Sequence, residues 1–219
     1  EPGTFKDRVV LEGDPFAADR GHFRFVHALV REVAYATLSR RDRRSKHLAV
    51  AEHLAGSDRA GELAAVAARH LFDAIDASRA GDGDVAALTT RAVTLMAAAA
   101  DRAGSLGSFA EALDLYRSAI AHSDDPAFRA ELSARAADAA TTAADYQSAE
   151  ALSGDAIAFF DATGDVERAA VVAATHGRAV FRQGHRDAAL AAMRPRYEAL
   201  RDVEGTEAES EAHATLLNT

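Results

Sequence analysis

The 219-residue sequence contains no cysteine, which excludes disulfide bridges and thiolate metal sites. It has no tryptophan and only 6% aromatic residues, although 48% of it is hydrophobic. Alanine fills the gap at about one residue in four. Alanine loses no side-chain entropy in a helix and lets helices approach closely, but each one buries little apolar area. A core of this kind must be spread over many helix–helix contacts, which favours a helical array over a compact enzyme. Proline occurs only at Pro2, Pro15, Pro126 and Pro195, so residues 16–125 have none. That suits uninterrupted helices joined by glycine-containing turns. No stretch approaches 18 uncharged apolar residues, so no membrane span is expected. The chain opens on Glu1 without a signal-peptide pattern, and we read it as a piece of a longer, cytoplasmic protein.

Catalytic signatures are missing as well. There is no Gly-x-x-x-x-Gly-Lys-Ser/Thr loop, no Gly-x-Ser-x-Gly elbow and no His-Glu-x-x-His. The nine histidines are scattered from His22 to His213, and none has a spacing that sets metal ligands on one helix face. We therefore expect no catalytic residue, no metal site and no cofactor bound by this chain alone. The carboxylate pairs Asp82/Asp84 and Asp124/Asp125 read as exposed caps in turns.

What the sequence does carry is helical periodicity with regular punctuation. Residues 1–20 read as loop or short strand, and His22–Val26 alternates polar and apolar like a short strand. A helix is expected at 27–38, with Ala28, Leu29 or Val30, Val33, Ala34 and Leu38 on its apolar face. Ser39 then caps a second helix over 40–55 that ends at Gly56. Further helices follow at 61–77, 83–104, 108–122, 127–142, 145–163, 166–182, 186–202 and from 207 onward. Gly81, Gly83, Gly107, Asp125-Pro126, Asp145, Gly164, Gly184 and Gly205 separate them. Connections this short favour antiparallel neighbours. Pro195 is expected to kink or end the 186–202 helix.

Three segments align on turn and small-residue positions: LGSFAEALDLYRSAI, AADYQSAEALSGDAI and RQGHRDAALAAMRPRY. Their alanines Ala112, Ala149 and Ala189 are separated by 37 and 40 residues. The first segment closely resembles the second half of a tetratricopeptide repeat. Gly107 ends one helix, Phe109 opens the next, and Ala112, Tyr116 and Ala119 hold packing positions. Ala100 faces them from the preceding helix, and Leu113 joins Phe109 and Tyr116 in filling the space between pairs. A single pair cannot bury its apolar face alone, so such pairs stack. The resemblance implies an all-α solenoid over 57–219, with its best unit at 93–126, others at about 130–165 and 170–204, and continuation past Thr219. In such arrays first-helix residues line a groove for extended peptides or partner helices. Projecting that pattern selects Asp101, Asp138, Thr141, Thr142, Arg178, Phe181 and Arg182, with acids toward one end and arginines toward the other.

Residues 1–56 differ. Between residues 20 and 53 eight Lys/Arg face three acids, so this stretch is +5 while the whole chain is −9. The segment FRFVHALVREVAYATLSRRDRRSKHLAVAEHLAG resembles the junction after the nucleotide-binding module of signal-transducing (STAND-type) ATPases. Most similar are actinobacterial members that also carry an adenylate/guanylate cyclase domain. There a P-loop ATPase domain is followed by a winged helix and helical repeats. The resemblance implies that residues 1–56 end a winged helix, and that the whole protein binds ATP or ADP. It also implies that His27, standing where the family's Met-His-Asp motif has its histidine, contacts nucleotide phosphate. The motif's aspartate is replaced here by Ala28.

The basic residues Arg40, Arg41, Arg43, Arg44 and Lys46 are then expected to face the chain's own ATPase domain. A nucleic-acid surface is disfavoured, since aromatic stacking partners are absent beside the run and the chain is acidic overall. The functional expectation is a non-catalytic interaction and sensor module that relays binding of a protein or peptide to the ATPase. The alternatives are a homo-oligomerisation scaffold and the helical region of a helix-turn-helix transcriptional regulator.

Overall fold

Alanine-rich segments punctuated by glycine and aspartate become helices in the computed structural model, which describes residues 11–13, 23–25, 28–79 and 81–200. Among these residues the chain is all-α apart from one antiparallel pairing of β1 (Leu11–Gly13) with β2 (Phe23–Phe25), Leu11 opposite Phe25. The helices are α1 (Ala28–Ala36), α2 (Arg40–Ala55), α3 (Ala64–Asp76), α4 (Val85–Ser105) and α5 (Phe109–His122). They continue as α6 (Pro126–Thr142), α7 (Tyr146–Thr163), α8 (Val166–Arg182) and α9 (Arg186–Leu200). His27 and the helix expected from residue 207 lie outside the described residues.

Local chemistry sets the boundaries. Ser39 Oγ accepts from the Asp42 N–H at 3.1 Å and donates to the Asp42 carboxylate at 2.7 Å, closing the first turn of α2. Asp125 accepts from the N–H groups of Ala127 and Phe128, and Pro126 occupies the first helical position, where its missing N–H costs nothing. Asp145 and Asp165 cap α7 and α8 in the same way.

From α2 onward each helix packs against the next in sequence, and α6 additionally touches α8. The pairs α4–α5, α6–α7 and α8–α9 share one turn design: three linking residues, Leu106–Ser108, Ala143–Asp145 and Gln183–His185. The central residue of each has positive φ: Gly107 at 82°, Ala144 at 62° and Gly184 at 89°. The following N–H reaches back to the carbonyl five residues earlier in all three, Ser108 to Ala103, Asp145 to Ala140 and His185 to Val180. This is the left-handed helix-ending motif that satisfies the last carbonyls. The turn centres are 37 and 40 residues apart, the same intervals as Ala112, Ala149 and Ala189, and each of those alanines is fully buried.

Ala144 carries a Cβ in a conformation that disfavours one by roughly 1–2 kcal/mol. Glycine also gains unfolded-chain entropy, which offsets part of the relief. Ala144→Gly is therefore expected to stabilise the chain by about 0.5–1 kcal/mol, read as a higher urea midpoint at unchanged slope.

One expectation is corrected in part. Pro195 does not end α9, which runs on to Leu200. Pro195 cannot supply the N–H that would bond the Ala191 carbonyl, but it is exposed, so water can reach that end of the break. Arg196 Nη1 donates to the Ala192 carbonyl at 2.7 Å while its Nη2 holds Asp161 at 2.5 Å, and Leu200 is buried against Ala170. Tertiary anchoring of the turn that follows the proline keeps the helix going. On α1, the apolar residues Leu29, Val30 and Val33 are 69%, 40% and 56% exposed.

The main core runs from Ala68 in α3 through Met96 and Ala100 in α4, Ala112, Leu113, Tyr116 and Ala119 in α5, to Leu132 and Ala136 in α6. Small residues dominate it, so backbones come close and a few larger groups wedge between pairs. Phe109 is only half-buried.

Candidate functional site: a groove across successive helix pairs

A groove of about 420 Å³ opens where α4, α5, α6 and α8 meet. Ala112, Tyr116 and Val172 lie along it, with Asp101, Arg135, Asp138 and Thr175 as its polar groups. The floor is apolar because Tyr116 comes from the second helix of a pair. The charges come from first helices, whose exposed faces the stacking leaves toward the opening.

Tyr116 Oη donates to Asp101 Oδ1 at 2.5 Å. Burial of the ring, then this hydrogen bond to a carboxylate, push the phenol's pKa far above its ordinary value, so it remains a donor. Arg135 Nη1 lies 3.2 Å from Asp101 Oδ2, and its Nη2 lies 3.5 Å from Glu131. Glu131 also pairs with Arg168 of α8. Asp138 and Arg178 are 3.6 Å apart, and Arg178 Nη2 donates to Thr175 Oγ1 at 3.1 Å. Arg178 Nε is buried and has no acceptor among the described residues. All of these pairs are partly solvent-exposed, so each contributes no more than about 1 kcal/mol to stability. Their consequence is geometric: they align charged groups of three first helices along one face.

Of the residues projected from sequence, Asp101 and Asp138 line this groove. Arg178 stands at its margin through Asp138 and Thr175. Thr141 and Thr142 turn their hydroxyls back onto the carbonyls of Ala137 and Asp138, and neither lines it. Half-buried Phe181 and exposed Arg182 lie outside the lining too. The expected split polarity is corrected. Each acid faces an arginine of the following pair, Asp101 with Arg135 and Asp138 with Arg178, so the charges alternate along the face.

Arg135, Glu131 and Arg168 escaped the sequence reading, yet a signal for them exists. Asp101 and Arg135 are 34 residues apart and Glu131 and Arg168 are 37 apart, close to the repeat interval. Opposite charges at one repeat's distance on first helices mark cross-pair partners.

The basic residues of α2 divide into two sets. Arg40 donates to the carbonyls of Asp76 and Ser78, and Arg43 to those of Leu38 and Ala36. Arg44 binds Ser78 Oγ, Asp82 and Asp84. Asp84, read as a cap, stands at the start of α4 without capping it and holds Arg44 instead. Arg41 and Lys46 are exposed. Two of the five residues assigned to an interdomain face, Arg40 and Arg44, thus tie α2 to the α3–α4 connection, and Arg43 ties it to the α1–α2 link. No described helix is long and apolar enough to cross a membrane. No protein-family model matches the chain, and no curated protein matches it.

Proposed function

We propose that this chain is a tetratricopeptide-type interaction module, non-catalytic in itself, that relays partner binding to an ATPase domain of the same signalling protein. The observation that carries the reading is the groove over α4, α5, α6 and α8. An apolar floor edged by alternating acids and arginines suits a peptide that buries a few side chains and pairs its own charges at the rim. The recurring three-residue turns support a stacked-repeat origin for it, since equal turns orient successive pairs alike. The junction reading rests on the resemblance of residues 20–56 and on α1, whose Leu29, Val30 and Val33 are exposed apolar groups. In the full protein those groups meet the nucleotide-binding domain, and His27 touches its nucleotide.

The test separates recognition from folding. Peptides enriched on the chain from a displayed random library are measured against wild type, Arg178→Glu, and the exchange Asp138→Arg with Arg178→Asp. The single reversal should weaken binding by about tenfold or more, equivalent to about 1.4 kcal/mol. The exchange restores the ion pair but inverts the local field, so it should not restore affinity. Failure to enrich any peptide, or equal affinity for all three proteins, would overturn the groove assignment.

A further inference from the structure

Away from the groove, α2 and α3 bring three metal-ligating side chains together. His47 Nδ1 lies 2.9 Å from His70 Nδ1 and 3.5 Å from Asp73 Oδ2, and the three donor atoms all fall within 4.8 Å of one another. His70 and Asp73 are three residues apart on α3, so both point to one side of it. His47 faces them from α2 and is largely buried, its side chain 12% exposed, while Asp73 is 43% exposed. We propose that His47, His70 and Asp73 form a binding site for a divalent transition-metal ion of the zinc type.

The donor set selects the ion class. Two imidazoles and one carboxylate suit zinc and its neighbours, whereas magnesium and calcium want oxygen ligands. Zinc–nitrogen bonds of about 2.0–2.1 Å in a tetrahedral arrangement place two nitrogens about 3.3 Å apart. The observed separation of 2.9 Å needs a ring shift of only about 0.4 Å to accept the ion. The exposed side at Asp73 leaves room for water as a fourth ligand.

The proton inventory favours the same arrangement. If both Nδ1 atoms ligate, each neutral ring must carry its proton on Nε2. His47 Nε2 lies 2.9 Å from Tyr35 Oη, so the proton it would then carry has an acceptor in place. Such an outer hydrogen bond fixes the tautomer and ring orientation of a metal ligand. Arg43 lies over the Tyr35 ring, 4.9 Å from its centroid. Bound there, the ion would tie α1 and α2 to α3, across the seam between the basic junction and the helix array. The site is independent of the groove and of its proposed partner.

The competing arrangement is a plain hydrogen bond between the two imidazoles. Calorimetric titration of the chelator-treated 219-residue chain with zinc chloride at pH 7.5 distinguishes them. One saturable ion per chain is expected, with a matching rise in the thermal unfolding midpoint. His47→Gln and His70→Gln should each weaken binding by at least about 100-fold, beyond the 10–100-fold typical of losing an outer partner. Tyr35→Phe should weaken it about tenfold, and it retains the ring, so it covers the case in which a histidine variant does not fold. Absence of saturable binding to the wild-type chain would overturn the proposal. So would unchanged affinity in His70→Gln, since the ion would then sit at other histidines.

Discussion

Replacing Tyr116 with alanine is expected to lower the unfolding free energy by about 3–5 kcal/mol. The ring is 5% exposed and belongs to the cluster that joins α3 through α6. The same cluster holds Ala100, Ala112, Ala119, Ala136 and Ala139, whose side chains are too short to collapse into the space left behind. A core built on alanine depends heavily on its few large side chains, so deleting one leaves an unfilled cavity. Tyr116→Phe keeps the ring and loses only the hydrogen bond to Asp101. Asp101 is half-exposed and retains Arg135, so its carboxylate is rehydrated readily, and the expected cost is about 1 kcal/mol. Urea denaturation followed by circular dichroism checks both values. A loss below about 1 kcal/mol for the alanine variant would mean that this ring does not wedge the α4–α5 pair against α6.

The same reliance explains how much of the molecule could be read in advance. Helix bounds were legible because breakers and caps are local. Ser39, Asp125 and Gly107 act through bonds to residues within five positions, and the observed ends fall within three residues of the expected ones. The 37- and 40-residue intervals between Ala112, Ala149 and Ala189 were legible for a related reason: an alanine that must sit under a turn recurs with the turn. At Ala144 the break was marked by Asp145, but its left-handed geometry was not, because positive φ is normally announced by glycine. Pro195 misled because the bonds that carry α9 past it, Arg196 to Asp161 and Leu200 to Ala170, are tertiary. The partners of the α2 arginines were hidden for the same reason. A run of positive charge says nothing of which carbonyls and carboxylates lie opposite, and Asp76, Ser78, Asp82 and Asp84 come there only through the fold of α3 back onto α2. His47 and His70 are 23 residues apart, which no single-helix ligand pattern spans.

One buried residue contradicts its own helix, and it carries the second large effect. Gly177 lies inside α8, where glycine is less favourable than alanine by about 1 kcal/mol. A Cβ there would overlap the Sδ and Cγ of Met193, which is 3% exposed on α9. Glycine is therefore the residue that lets α8 and α9 approach this closely. Gly177→Val is expected to cost about 3 kcal/mol, because it adds a branched side chain to a filled space and brings little gain in helix propensity. Met193→Ala alone should cost about 2–3 kcal/mol through the cavity it leaves. Combined, the two changes place the valine methyls in the volume the methionine vacated. The double variant should then be more stable than the sum of the single losses by at least about 1 kcal/mol, a coupling expected only of residues in direct contact. Strict additivity in urea titrations of the four proteins would show that Gly177 and Met193 do not share one packing site, and α9 would then have to be placed differently against α8.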